Sequence, residues 1–289
     1  MTLRKIFDAI AGHDGLNFAL TNRLPRRTLS RLFGRASTIE NRLVSGPAIA
    51  AFRFFCRPDL SEARRTDFAS LRDCFVRELA PGRRPLDMGD RTLVSPSDGI
   101  VVAAGTVAQG QLLQVKGSTY PLAELLRDEA RAAALEGGSY ATLRLTAGMY
   151  HRFHAPQDGC LVEVAHILGD AWNVNPPALA RIPRLYCRNE RAVLRFELAS
   201  GRPALTIVAV AAILVAGIRI HDVALPGRNS RTGPWRTACD LPRAKGAELG
   251  WFEHGSTIVV LAPRGVTLDP ALRTGATIRM GEALMRLPA

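Results

Sequence analysis

The sequence predicts an α+β protein in which a helical N-terminal segment, residues 1–80, precedes a mainly antiparallel β domain, residues 81–289. Apolar residues in the first segment are mixed with basic ones, and Pro25 and Gly34 punctuate the pattern, which we interpret as helical. The run Pro81-Gly82-Arg83-Arg84-Pro85 breaks any helix and marks the boundary. Beyond it, short β-type runs alternate with turns, which favours an antiparallel sheet. A chain of 289 residues has ample core for one large domain or two modest ones.

The predicted strands are short and rich in β-branched residues. They lie at 92–94, 99–102, 111–115, 141–145, 192–196 and 257–261. The most apolar stretch, 204–218, falls short of the roughly 20 residues that a membrane-spanning helix needs, so it predicts one or two buried strands. One helix is expected near 122–135. We expect neither a transmembrane helix nor a secretory signal.

The formal net charge of +12 favours acidic partners: nucleic acid, anionic lipid or a phosphorylated substrate. Within 23–35 there is no acidic residue, and the arginines there are Arg23, Arg26, Arg27, Arg31 and Arg35. An apolar patch with three phenylalanines follows at 48–55. A basic stretch beside Leu and Phe residues is typical of a helix lying in a bilayer interface. We therefore expect residues 1–80 to associate with an anionic membrane; a helical cap with solvated arginines is the alternative.

The five cysteines are odd in number and widely scattered, and none forms a Cys-x-x-Cys pair. This pattern predicts free thiols, with neither a disulfide framework nor a zinc site. His151 and His154 lack an evident third ligand, so no metal is expected.

The junction His254-Gly255-Ser256-Thr257 is a candidate site of self-cleavage. Gly255 has no side chain to shield its carbonyl, and Ser256, joined to it by the scissile peptide bond, carries a hydroxyl group. If a base removes the hydroxyl proton, the oxygen can attack this carbonyl and convert the amide into an ester. Elimination would leave a dehydroalanine that hydrolyses to a pyruvoyl group. Taken alone, Gly-Ser-Thr before a strand more often marks a simple turn.

Three other segments carry residues with useful chemistry. The segment 94–99 sets Asp98 in a tight turn that enters a strand, although an ordinary Asp-Gly turn has the same pattern. The segment 150–156 holds His151 and His154, which would share one face of a helix or lie on opposite faces of a strand. The segment 185–191 is a charged cluster before a strand.

From about residue 70 to its end, the chain resembles the phosphatidylserine decarboxylase proenzymes. The matching segments, in chain order, are 75–79, 81–85, 95–99, 115–122, 150–156, 173–176, 188–191 and 255–257. Each motif is weak alone, but their joint order is highly specific. The sequence departs from the family at His254, where leucine is usual, and at 211–218, which is less rich in glycine.

The resemblance implies conversion of phosphatidylserine to phosphatidylethanolamine and CO2 through a Schiff base on a pyruvoyl group. Serinolysis at Gly255-Ser256 would make this covalent cofactor, so neither a metal nor pyridoxal phosphate is expected. Asp98, His154 and Ser256 would form the maturation triad, in which the imidazole takes the hydroxyl proton and the carboxylate orients the imidazole. His151 is the candidate proton donor after decarboxylation.

Cleavage would give a heterodimer of chains 1–255 and 256–289, and a dimer of heterodimers would suit the family. The resemblance also implies a peripheral protein on the cytoplasmic side of the cell membrane, with no nucleic acid partner. The candidate substrate-binding residues are Asn173, Asn175, Arg188 and Arg191.

Other functions stay open at this point. A serine hydrolase could use Asp98, His154 and Ser256 on an external ester without self-cleavage, but the chain has no Gly-x-Ser-x-Gly elbow. A non-processing, membrane-binding family member is favoured only by His254. The hypothesis of a nucleic-acid-binding protein is supported by the net charge alone, since the basic segment lacks a motif with aromatic stacking residues.

Overall fold

The computed structural model describes residues 12–22, 25–113, 119–199, 201, 203–213, 217–226, 235–253 and 256–288. Helices dominate up to residue 75 and strands follow from residue 92, in antiparallel sheets. The predicted α+β class is therefore confirmed. Within these ranges, no helix has both the length and the apolar character needed to cross a membrane.

The described helices are α1 (Asp14–Asn22), α2 (Arg26–Ala36), α3 (Arg42–Cys56), α4 (Leu71–Phe75), α5 (Leu122–Leu126), α6 (Glu129–Ala134), α7 (Pro176–Arg181) and α8 (Leu185–Arg188). The strands are β1 (Thr92–Val94), β2 (Gly99–Thr106), β3 (Gln111–Leu113), β4 (Thr119–Pro121), β5 (Ser139–Leu145), β6 (Arg152–His154), β7 (Gly159–Ile167), β8 (Arg191–Leu198), β9 (Leu205–Ala211), β10 (Ile218–Ile220), β11 (Trp235–Arg243), β12 (Glu248–Phe252), β13 (Ser256–Ala262), β14 (Thr267–Leu268), β15 (Thr277–Ile278) and β16 (Ala283–Arg286). Each predicted strand thus has a counterpart, except that 114–115 lie outside the described residues.

The core is built on an eight-stranded antiparallel sheet with the order β11–β7–β8–β9–β13–β5–β2–β15. Its central strands are apolar on both faces, and every residue of β9 is buried. The apolar stretch 204–218 contains β9 and, from Ile218, the start of β10. The prediction of one or two buried strands there is confirmed. A run of β-branched and apolar residues fits a central strand, because both faces of such a strand are covered.

The single helix predicted near 122–135 is wrong, because two short helices occupy this stretch. Arg127 adopts a left-handed backbone conformation with φ of 53°, which ends α5. The Asp128 side chain then accepts a hydrogen bond from the Arg131 backbone N–H and begins α6.

A three-stranded sheet, β10–β12–β6, carries His154 at the end of β6. Gly250 of β12 allows this sheet to form, since a Cβ atom there would lie 2.0 Å from the Arg219 carbonyl oxygen of β10. A larger residue would separate β12 from β10, so a close backbone approach helps to position β6.

Contacts join the helical segment to the β-rich part of the chain. Asn175 donates a side-chain hydrogen bond of 2.8 Å to Asn17 of α1. Arg77 donates to the carbonyl oxygen of Gly148 at 2.9 Å. The division into 1–80 and 81–289 therefore stays a prediction, because the two parts are packed together.

Candidate active site

Ser256 is the first residue of the central strand β13. Its backbone pairs with Leu145 on β5 and with Ala211 on β9, and each is the last residue of its strand. Position 256 therefore lies at one end of the large sheet, where three neighbouring strands begin or end. His254 and Gly255 lie outside the described residues, as does the side chain of Ser256.

An apolar cavity of about 330 Å³ opens at this end of the sheet. The residues that continue β5 and β9 form one side, and residues of α2, α3 and α4 form another. Its lining consists of Phe33, Phe52, Cys56, Leu71, Phe75, Arg144, Leu145, Thr146, Ala147, Asn173, Val174, Asn175, Ala212 and Ile213. Because Leu145 pairs with Ser256 and also lines this cavity, position 256 lies at its edge.

Asn173 and Asn175, two of the candidate substrate-binding residues, belong to the cavity wall. The Asn175 carboxamide oxygen accepts from the Ala178 N–H at 3.1 Å and caps α7. The Asn173 carboxamide oxygen accepts from the Asn175 N–H at 3.0 Å. These amides therefore hold the wall in shape and fix it against α1.

His154 is buried, and both of its ring nitrogens are hydrogen-bonded. Nδ1 lies 2.9 Å from the Gly246 carbonyl oxygen, and Nε2 lies 2.9 Å from the Tyr150 hydroxyl. Since a carbonyl oxygen only accepts, Nδ1 carries the proton and Nε2 accepts from Tyr150. Burial lowers the pKa of His154 below its ordinary value of 6.5, so the ring is neutral at pH 7.

Asp98 lies next to β6, since the backbone N–H of His154 donates a hydrogen bond of 2.8 Å to the backbone carbonyl oxygen of Pro96. Its carboxylate accepts two hydrogen bonds from Arg84, at 2.9 and 2.6 Å, and one from the Met280 N–H at 2.9 Å. Among the described residues, the His154 ring therefore bonds Gly246 and Tyr150 rather than Asp98. The guanidinium offers the carboxylate two charge-assisted hydrogen bonds where an imidazole offers one.

His151 precedes β6 and packs against the cavity wall. Its ring centroid lies 4.0 Å from that of Phe75, which lines the apolar cavity. Its Nδ1 lies 2.8 Å from the Met149 carbonyl oxygen. The structure thus brings Asp98, His151, His154 and the backbone of Ser256 to the same end of the molecule. Among the described residues, no three His, Cys, Asp or Glu side chains cluster as metal ligands do.

Arg188 and Arg191, the other two candidate substrate-binding residues, lie outside the wall of the apolar cavity. Arg191 is only 1 % exposed, and its guanidinium donates to backbone carbonyl oxygens of Glu124, Leu125, Cys187 and Asn189. Burial lowers its pKa to about 10. Arg188 is exposed. Among the described residues that line the apolar cavity, neither of these arginines is found. Their assignment to the substrate stays a prediction.

Asn189 is a positioning residue that sequence reasoning missed. Its buried side chain donates to the carbonyl oxygens of Ala211, at 2.8 Å, and Trp172, at 2.9 Å. Because Ala211 pairs with Ser256, Asn189 fixes the strand end beside the candidate cleavage site. Asn189 is a neutral residue among charged ones in the motif 188–191, so the charge pattern of the sequence carries no signal for it.

Glu253 was also missed, although it lies directly before His254. Its buried carboxylate pairs with Arg72 of α4 and with Arg219 of β10, the latter at 3.1 Å. These two arginines hold the chain in place just before the candidate cleavage site. The only sequence signal was the presence of an acidic residue two positions before Gly255.

Known proteins are similar to this chain over most of its length. Residues 71–286 match the family described as phosphatidylserine decarboxylase. The phosphatidylserine decarboxylase proenzyme of Anaeromyxobacter sp. (strain K) is 38% identical over 283 residues, covering 94% of this chain and 98% of the relative. That of Shewanella baltica (strain OS155 / ATCC BAA-1091) is 35% identical over 286 residues, covering 95% and 97%. That of Xanthomonas axonopodis pv. citri (strain 306) is 39% identical over 240 residues, covering 79% and 83%.

By these matches the chain is a decarboxylase, which makes it a lyase. It belongs to the phosphatidylserine decarboxylase family. The resemblance inferred from the order of short motifs is confirmed, and family membership favours a decarboxylase over a serine hydrolase or a nucleic-acid binder.

Replacing Arg191 by Met should destabilise the fold by about 3 kcal/mol, because several buried carbonyl groups lose a charged donor. The measurement is the free energy of unfolding in urea, made on Ser256→Ala protein so that one intact chain is followed. The matched control Arg188→Met, at an exposed position, should change stability by no more than about 0.5 kcal/mol. Equal stability of the two variants would contradict the structural role of Arg191.

Proposed function

We propose that this chain is a phosphatidylserine decarboxylase proenzyme that cuts itself between Gly255 and Ser256. The mature protein then converts phosphatidylserine to phosphatidylethanolamine and CO2. The observation that carries the proposal is the position of Ser256, at the start of β13 and at the edge of the apolar cavity. A cavity of this size is typical of small-molecule sites.

In the proposed maturation, the Ser256 hydroxyl oxygen adds to the Gly255 carbonyl carbon and the amide C–N bond breaks. His154 accepts the hydroxyl proton and returns it to the departing nitrogen, which leaves an ester. Elimination of the Gly255 carboxylate followed by hydrolysis, with uptake of water and release of ammonia, gives the pyruvoyl group. The neutral, buried imidazole of His154 supports its role as the base.

Tyr150 and Asp98 assist His154 in different ways. Burial raises the pKa of Tyr150, so its hydroxyl stays protonated and donates to Nε2. We infer that this hydroxyl relays the proton to His154. Asp98 acts through space. Burial lowers the pKa of His154, whereas the hydrogen bond to Gly246 and the charges of Glu248 and Asp98 raise it, and the charge of Arg152 lowers it. A carboxylate that stabilises an imidazolium has the role of the acid in a triad.

The pyruvoyl group, once formed at position 256, supplies an electron sink for the loss of CO2. The apolar wall of the cavity excludes water from the reacting headgroup. His151, which contacts this wall through Phe75, is the proposed donor of the proton that replaces the carboxylate. Asn173 and Asn175 shape the opposite wall and are proposed to orient the headgroup.

The cut chains are proposed to remain together as a heterodimer. β13, which belongs to the small chain 256–289, is paired on both sides with strands of the large chain. β15 pairs with β2, and β16 pairs with β1. Separation would therefore expose the centre of the large sheet.

The N-terminal helices are proposed to bind the cytoplasmic face of the cell membrane as a peripheral anchor. Leu32 of α2 is 57 % exposed and Leu43 of α3 is 86 % exposed. Further exposed apolar or basic residues on these helices are Arg35, Arg42, Val44, Arg53, Phe54 and Phe55. Phe33 and Phe52 on the same helices line the apolar cavity, so a lipid could pass from the bilayer to position 256.

Intact mass under denaturing conditions tests the central proposal. Wild-type protein should yield a fragment spanning 256–289 that is lighter by one ammonia than the unmodified peptide, because serine becomes pyruvoyl. Ser256→Ala should stay whole, and Ser61→Ala, at an exposed serine, should split like wild type. A wild-type chain that stays intact with detergent and phosphatidylserine present would favour a hydrolase or a non-processing family member.

Self-cleavage should persist to lower pH than an ordinary histidine allows. Since the pKa of His154 lies below 6.5, more than half of the imidazole is neutral at pH 6.5 and can accept a proton. The cleavage rate there should exceed half of its plateau value and should fall as the pH drops through the lowered pKa. The rate is followed by mass spectrometry after freshly made precursor is transferred to each pH. His154→Ala should be slow throughout, and a midpoint at or above pH 6.5 would refute the assignment.

Replacing Leu43 by Glu should weaken binding to vesicles that contain phosphatidylserine on the order of tenfold, because an apolar membrane contact becomes a charge. Cosedimentation with the vesicles measures the bound fraction. Met88→Glu is the matched control, since Met88 is exposed but lies outside the helices. The same loss in both variants would argue against an anchor formed by α2 and α3.

A further inference from the structure

A second, polar cavity of about 240 Å³ adjoins the apolar one. Cys56 and Thr146 line both cavities, and Asp98 and Tyr150 lie in the wall of the polar one. Thr146 directly follows Leu145, which pairs with Ser256. The polar cavity therefore lies within reach of the proposed reaction centre.

Positive charge prevails in the wall of the polar cavity. Four arginines and three acidic residues line it: Arg57, Arg77, Arg84, Arg279, Asp59, Glu62 and Asp98. Arg84 pairs with Asp98 at 2.6 Å and with Glu62 at 2.8 Å, and Arg279 approaches Glu62 at 3.4 Å. The acids Glu62 and Asp98 are thus engaged by these two arginines.

Arg77 differs from the other arginines of this wall. It is only 4 % exposed, and its Nη2 donates to the carbonyl oxygen of Gly148 at 2.9 Å. Arg77 and Gly148 both line the polar cavity, so the guanidinium is held in its wall. Within the described part of the chain, the Nε and Nη1 atoms of Arg77 have no hydrogen-bond partner. A buried cation with unused donors is unfavourable unless an anion completes it.

We infer that Arg77 binds an oxyanion of the substrate headgroup in the polar cavity. This inference rests on the proposed function, since it takes a serine phospholipid as the substrate. Such a lipid carries two oxyanions near its amine, a carboxylate and a phosphodiester. Either would offer oxygen acceptors to the free Nε–H and Nη1–H groups and neutralise the buried charge. The apolar cavity would then hold the less polar part of the same molecule.

Binding to Ser256→Ala protein tests the site without turnover. The probes are glycerophosphoserine, glycerophosphoethanolamine and serine, with affinities measured by calorimetry. Arg77→Gln should weaken glycerophosphoserine binding on the order of tenfold or more, because charge-assisted hydrogen bonds are lost. Arg64→Gln is the control, since Arg64 is exposed and pairs with Glu78, and it should bind like the parent protein. If Arg77→Gln also weakens the binding of glycerophosphoethanolamine, the phosphodiester is the group that Arg77 binds. If it also weakens the binding of serine, the carboxylate is that group.

A second measurement covers the case in which Arg77→Gln does not fold. The Nε–H NMR signal of Arg77, assigned by its disappearance in Arg77→Lys, should shift as glycerophosphoserine is added. A signal that stays unchanged at saturation would overturn the inference.

Mature enzyme separates this inference from the proposed function. Arg77→Gln should split normally by mass and show a raised KM for phosphatidylserine, with kcat less affected. If wild type releases CO2 and Arg77→Gln keeps the affinity for glycerophosphoserine and the KM for phosphatidylserine, the Arg77 site alone is overturned. Glycerophosphoserine binding that depends on Arg77, in a wild-type protein that releases no CO2, would instead overturn the decarboxylase proposal and leave an anion site.

Discussion

The pairing of β13 with β5 on one side and β9 on the other is the interaction on which the rest of the site depends. Residues 257–262 of this strand are all buried, so a slip in register would disturb the packing of both faces. Its first residue, Ser256, is thereby fixed where the neighbouring strands end. The positions of the cavity, of the proposed cleavage site and of the strand end that Asn189 holds all follow from this placement.

Near this strand end, the buried side chains of Asp98 and His154 are each held by hydrogen-bond partners. Arg84 keeps the Asp98 carboxylate in an ion pair, while Tyr150 and Gly246 hold a neutral His154 in one tautomer. A base is most useful when it is neutral before it acts. Asp98 and His154 therefore have separate hydrogen-bond partners, and the charge of Asp98 acts on His154 only through space.

Sequence patterns predicted those features that local chemistry determines. The β-branched runs 204–218 and 257–261 predicted buried strands, because such residues are favoured where both faces of a strand are covered. The break at Arg127 could not be predicted, since a left-handed arginine leaves no mark in an apolar pattern. The preference of Asp98 for Arg84 over His154 depends on side chains that only the fold brings together. Asn189 was missed for the same reason.

The pairing of Glu253 with Arg72 and Arg219 has a consequence for the mature protein. Cleavage as proposed leaves a new C-terminal carboxylate on Gly255, two residues beyond an anchored side chain. A chain spans at most about 3.6 Å per residue, so this terminus cannot retreat far from the strand that it has left. The finished site would then contain a permanent acid that no side chain supplies, and incoming substrate would meet its negative charge.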